Sequence, residues 1–192
     1  MEKENQRIKI TKQMLKEGLL RLLNSKDLDR IAVTELCKES GINRATFYRH
    51  YEIPHDVLRD IEYDITLELK KRIGIPNSRE EIELALSKLC SYFYEHADLL
   101  RIIIKNHSDN DLQILIEEIM KDMMQSDMAT EIVDKLDSEM IMILTTFSVG
   151  GGFYLVKQWL LGNVNKTPQE ITSLLINFSH SVDWMETGKK LG

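Results

Sequence analysis

Cysteine is scarce in this chain of 192 residues: Cys37 and Cys90 lie far apart and belong to no metal-ligating or redox spacing. That excludes a disulfide scaffold, a zinc ribbon and a dithiol redox centre, and it fits a reducing compartment. No apolar run reaches the length needed to span a bilayer, and no basic-then-apolar leader opens the sequence. The expectation is a cytoplasmic protein with no membrane partner. Reactive groups are not clustered either. His50, His55, His96, His107 and His180 stand singly, with no Ser, Cys or carboxylate set beside them by a recognisable motif. This argues against an enzyme and against a bound metal or cofactor. The run Gly150-Gly151-Gly152 is no nucleotide loop, because no Lys-Ser/Thr follows it, no dinucleotide fingerprint is completed and no strand precedes it. Strand-type alternation is absent throughout, so the fold class is all-α.

What is present begins with charge. The formal net charge is −6, but residues 1–52 carry 11 Lys and Arg against 8 Asp and Glu, whereas the remainder carries 14 against 23. Basic charge is concentrated in the N-terminal quarter, and the acidic remainder reads as a soluble surface. A hydrophobic content of 43% and a charged content of 29% are ordinary for a globular protein.

The organising stretch runs from Val33 to Tyr51. Thr34 precedes helix formers and is positioned to accept first-turn N–H groups, Gly41 suits a left-handed helix end, and Asn43 suits the cap of a second helix. Helix, Gly-containing turn and helix at this spacing form the helix-turn-helix pattern, whose second helix enters the DNA major groove. Phe47 must face the core. At about 100° per residue, Ala45 and Arg49 then point away from it, flanked by Thr46 and Tyr48. Arg44 and Thr46 lie in the first turn, nearest base edges, and Ala45 allows close backbone approach and contact with a thymine methyl. Tyr48, Arg49 and His50 are placed for phosphates. A plain helical hairpin with a solvated face is the alternative reading.

Caps, spacing and the Thr46-Phe47-Tyr48-Arg49-His50-Tyr51 run together resemble the TetR family of transcriptional regulators, over Arg7 to about Leu58. The resemblance implies a first helix packed over the helix-turn-helix and a fourth beginning just after Tyr51. It also implies Thr34, Arg44, Ala45, Thr46, Tyr48, Arg49 and His50 as DNA-binding residues. Ile53 and Pro54 depart from the family's small polar cap and Lys at the start of that fourth helix; proline suits the position sterically but supplies no cation.

Elsewhere the periodicity predicts a first helix over about 5–24 with Ile8, Leu15, Leu19, Leu22 and Leu23 on a buried stripe. Leu28 and Ile31 plug the small core. Pro54 opens a helix to about Ile73 carrying Val57, Leu58, Ile61, Ile65 and Leu69. A Gly74-to-Ser78 break follows, and Ser78 with Glu81 has capping-box spacing. Later helices are expected from the Ser108-to-Asp111 cap to about Met124, over 138–161, and from Thr167-Pro168-Gln169-Glu170 onward. The expected organisation is a helix-turn-helix DNA-binding domain of three helices at 1–53, then a larger helical effector-binding and dimerisation domain at 54–192.

Tyr92, Phe93, Met120, Phe147 and Trp159 are candidate lining for an apolar effector pocket, with ordinary core an equal reading for each. Three glycines inside a helix cost about 2–3 kcal/mol relative to alanine, for which close helix approach is the simplest compensation. In the family the last two long helices pair with those of a second subunit, and Gly151, Leu155, Leu175, Phe178 and Val182 are the interface candidates here. The Gly-rich segment, Trp159, Gly162 and Thr-Pro-Gln-Glu are similar to a subgroup that includes regulators of dihydroxyacetone kinase operons. The implied function is a dimeric repressor on a pseudo-palindromic operator, released by an effector. A TetR-like activator or a helical interaction adaptor with weakened DNA binding is the alternative. For Cys37, a buried inert thiol is preferred over a redox sensor.

Overall fold

A computed structural model describes residues 2–106 and 137–181, and among these every regular element is helical. The helices are α1 (Glu2–Leu23), α2 (Val33–Ser40), α3 (Arg44–Phe47), α4 (Pro54–Ile73), α5 (Arg79–Glu95), α6 (Ala97–Asn106), α7 (Ser138–Leu160) and α8 (Pro168–Ser181), with a 3-10 turn at Leu28–Arg30. Met120, Val182 and the expected cap at Ser108 to Asp111 lie outside the described residues.

The described residues fall into two compact units. One holds the chain up to Leu67 and the segment starting at Ile102; the other holds Glu68–Arg101 and the described residues from Asp137 onward. The division falls inside α4, so most of that helix sits in the first unit instead of after a 53/54 boundary.

In the first unit the apolar stripes meet as the 3.6-residue period requires. Leu15, Leu19 and Leu23 of α1, Leu28 and Ile31 of the connecting turn, Leu36 of α2 and Phe47 of α3 are buried with Val57, Leu58, Ile61 and Ile65 of α4. Ile8 corrects the expected stripe: it is exposed, near the start of α1.

Gly18 lets α1 lie close against α2, a role its sequence context does not advertise. A Cβ there would stand 2.9 Å from the Cβ of Ser40 and 3.2 Å from its Cα and N. Ser40 cannot easily yield, because it is buried and its hydroxyl donates to the Leu36 carbonyl at 2.7 Å. Ordinarily Gly→Ala inside a helix gains about 1 kcal/mol, but overpacking of this kind costs about 1–3 kcal/mol. Gly18→Ala is therefore expected to lower stability by up to about 2 kcal/mol net, read as a lower urea midpoint; a raised midpoint would contradict the close approach.

In the second unit α8 packs on α5 and touches α7. Ser78 caps α5, its hydroxyl accepting from Glu81 N at 3.2 Å, while the Glu81 carboxylate accepts from Asn77 N at 2.7 Å. Thr167 and Glu170 form a reciprocal capping box at the start of α8: Thr167 Oγ1 accepts from Glu170 N at 3.2 Å, and Glu170 Oε2 accepts from Thr167 N at 2.9 Å. Bonds from Lys166 and Thr167 pull the Glu170 carboxyl down to about 2. α7 stays helical through Gly150, Gly151 and Gly152. Of these three glycines Gly152 has a close neighbour, Leu175 Cδ2 at 3.4 Å from its would-be Cβ, whereas among the described residues nothing lies within 4 Å of a Cβ at Gly150 or Gly151.

Candidate nucleic-acid interface

The helix-turn-helix is built by two backbone devices and one anchor. Gly41 closes α2 at φ 69°, its N–H and that of Ile42 reaching back to the carbonyls of Lys38 and Cys37. This is the left-handed cap that glycine adopts without strain. Asn43 caps α3, its Oδ1 accepting from Thr46 N at 2.8 Å. Phe47 is completely buried, edge-on to Tyr48 and tilted against Tyr51. With Phe47 fixed inward, Arg44, Ala45, Tyr48 and Arg49 are exposed, and Thr46 and His50 are half-buried.

Two corrections apply here. Thr34 does not cap α2: Ala32 occupies the cap position with no side-chain bond, and Thr34 is an exposed residue of the helix's first turn. The recognition helix is also shorter than expected, one helical turn from Arg44 to Phe47, with residues 48–50 continuing as turns. The N–H groups of His50 and Tyr51 both bond to the Phe47 carbonyl and close that segment.

The exposed side chains are arranged in pairs. Arg44 lies over the Tyr48 ring at 5.9 Å, and Arg49 Nη2 donates to Thr46 Oγ1 at 3.0 Å. Each pairing holds a long cation close to the surface of the segment. At His50, burial first, then the charges of Lys12 and Arg49, lower the imidazole below its usual range. The neutral ring is favoured at pH 7. Burial raises the Cys37 thiol despite nearby Arg44, as an inert core thiol requires.

At the start of α4 the departure from the family pattern has a structural counterpart. The Asp56 carboxylate accepts from Glu52 N at 2.9 Å and Ile53 N at 3.0 Å, and Pro54 has no N–H. Those backbone bonds hold the Asp56 carboxyl below its ordinary range. The Glu52 and Ile53 N–H groups just ahead of this helix are thus engaged by the chain itself.

Sequence reasoning missed a polar cluster beside the recognition segment. Asp60 Oδ2 accepts from the Tyr51 hydroxyl and from Lys12 Nζ at 3.1 Å, and lies 3.2 Å from Lys16 Nζ. Lys16, a buried lysine, also donates to the Asp60 carbonyl at 3.0 Å and to Asp64 at 2.6 Å. Burial pushes the Asp60 carboxyl up, but the bonds from Tyr51, Lys12 and Lys16 outweigh it and hold it below the usual range. Burial and the bond to Asp60 raise the Tyr51 phenol strongly. Only the alternation of lysines on α1 with acids on α4 could have hinted at this cluster.

The expected effector lining is dispersed in the second unit. Tyr92 is buried against the His96 ring, with Arg72 over its face at 4.9 Å and its hydroxyl donating to Glu68 at 3.3 Å; burial and Glu68 push its phenol up to about 12. Phe93 is half-buried edge-on to Tyr92. Trp159 is buried, stacks on Tyr94 and donates its indole N–H to the Lys166 carbonyl at 2.7 Å. Phe147 is 70% exposed. Of the interface candidates, Gly151 is exposed, Leu155 and Leu175 are half-buried, and Phe178 is 59% exposed.

A capped one-turn helix flanked by exposed cations, held on a buried aromatic and preceded by a glycine-closed helix, defines the helix-turn-helix class of regulator. A TetR-type family model described as a transcriptional regulator C-terminal region matches residues 80–181. The chain belongs to the TetR family of transcriptional regulators. A solved structure titled as a TetR transcriptional regulator from Streptococcus agalactiae 2603V superposes with a TM-score of 0.67 at 19% identity, covering 91% of this chain and 96% of that one. That likeness shows a shared fold. No curated protein gave a significant match. Among the described residues no helix is long and apolar enough to cross a membrane.

Proposed function

We propose that this chain is a DNA-binding transcriptional repressor that acts as a homodimer on a pseudo-palindromic operator and is released by an effector. The observation that carries the reading is the arrangement around Phe47: one completely buried ring leaves Arg44 and Ala45 of the one-turn helix, and Tyr48 and Arg49 just after it, exposed to solvent, with Thr46 half-buried between them. Arg44 and Thr46, in the first turn, read base edges; Tyr48, Arg49 and the exposed start of α2 at Thr34 contact backbone. Selection of duplex fragments by the purified chain tests this, the expected result being enrichment of one inverted-repeat sequence.

Dimerisation is supported by the surface of the last two described helices. Met142, Ile143, Phe147 and Tyr154 of α7 and Phe178 of α8 are all exposed, and Gly150 and Gly151 leave room for close approach of another helix. A patch of this character on one chain marks an interaction surface, and a second copy satisfies both the apolar area and the glycines. Two recognition helices about 34–36 Å apart then span one duplex turn. Light scattering at micromolar concentration is expected to give the mass of two chains; a one-chain mass would contradict the dimer.

The small basic excess of residues 1–52 makes binding depend on two copies and on salt. The engagement of the Glu52 and Ile53 N–H groups by Asp56 favours a second reading, a helical adaptor with weakened DNA binding. Absence of any sequence-dependent complex at low salt would select that reading.

A further inference from the structure

We propose that Asp60 is a positioning residue for sequence recognition, fixing the C-terminal end of the recognition segment to α4 and withdrawing Lys12 and Lys16 from phosphate contact. The inference rests on the DNA-binding reading above.

α3 is only four residues long. So short a helix has no stability of its own and takes its direction from its anchors. Asn43 anchors its start. Its end is anchored by Tyr51, whose N–H bonds to the Phe47 carbonyl at 3.0 Å, whose ring leans on Phe47, and whose hydroxyl donates to Asp60. Asp60 is thus the point at which the reading face is tied to α4. Lys12 closes the arrangement from α1, with Nζ 3.1 Å from Asp60 and 5.3 Å from the centre of the Tyr51 ring. Lys16 completes it from the same helix.

The lysines therefore hold the unit together and are not available for phosphates. Base readout needs side chains held in register on the groove, whereas non-specific attraction to phosphates does not. Loosening the Asp60 tie must then lower affinity for the chosen site while sparing affinity for unrelated duplex. A role in stability alone would lower both together.

The test uses Asp60→Asn and Tyr51→Phe in the full chain, titrated with the duplex selected by the unaltered chain and with a scrambled duplex of the same composition. Circular dichroism melts establish that each variant is folded at the assay temperature. Asp60→Asn is expected to lower affinity for the selected duplex roughly tenfold, the scale of a lost charge-assisted bond, with the scrambled duplex within about twofold. Tyr51→Phe moves the same way by less, and it carries the test if Asp60→Asn fails to fold. Equal losses on both duplexes, or an unchanged selected-site affinity in a folded variant, would overturn the positioning role. If the unaltered chain selects no duplex, the DNA-binding reading fails and this inference falls with it.

Discussion

Replacing Arg44, Thr46 and Tyr48 together with alanine is expected to abolish preference for the selected site while leaving the chain folded. Arg44 and Tyr48 are exposed and Thr46 is half-buried, so the helix-turn-helix core loses little packing. The cap also survives, because Asn43 accepts from the backbone N–H of residue 46 and not from its side chain. Alanine is the best helix former at such positions. On the binding side, each good base contact is worth about 1–3 kcal/mol, and a two-fold assembly loses each one twice. That sum matches the roughly 4–10 kcal/mol that separates specific from non-specific binding. Arg49 remains and loses only its Thr46 partner, so weak, salt-sensitive binding to any duplex persists. Gel shifts on selected and scrambled duplex, with a melt of the variant, measure both halves of this expectation.

Phe47→Ala is the complementary case, losing recognition by losing the fold of the unit. Phe47 is completely buried and touches the rings of Tyr48 and Tyr51. Truncating such a ring costs about 3–5 kcal/mol, against a total stability of about 5–15 kcal/mol for an ordinary domain. The urea midpoint is expected to fall sharply, and near-ultraviolet dichroism from the aromatic cluster to fall with it. A midpoint unchanged within the error of the extrapolation would contradict the packing that turns the reading face outward. Together the two variants separate contact from scaffold: one keeps the melt and loses the site, the other loses both.

The elements that were legible in the sequence are those fixed by local chemistry. Gly41 and Asn43 marked the ends of α2 and α3 because a left-handed cap and a side-chain acceptor are local requirements. The Pro54 and Pro168 helix starts and the Ser78 cap were readable for the same reason. The periodicity of Leu15, Leu19, Val57, Leu58 and Ile61 gave the core of the first unit. Thr34 misled because a capping residue needs an extended backbone, and Ala32 holds that conformation at ψ 149°. Ile8 obeys the period but lies on a part of α1 where it stays exposed.

What depends on contacts between distant parts of the chain was not legible. Asp60 meets Lys12 and Lys16 across more than forty residues of sequence, and neither period nor cap signals it. The need for Gly18 appears only when α1 lies on Ser40. Phe147 reads by composition as pocket lining or ordinary core, and its exposure on α7, with that of Tyr154, is what turns the reading toward an interface.

The central claim is that the face of the short helix turned away from Phe47 reads duplex DNA, and parallel selection from a random pool tests it most directly. The unaltered chain and the Arg44, Thr46, Tyr48 alanine variant are each carried through the same rounds and the retained fragments sequenced. The account predicts one inverted repeat enriched by the unaltered chain and no common sequence from the variant. Recovery of the same repeat, equally enriched, by both proteins would contradict it.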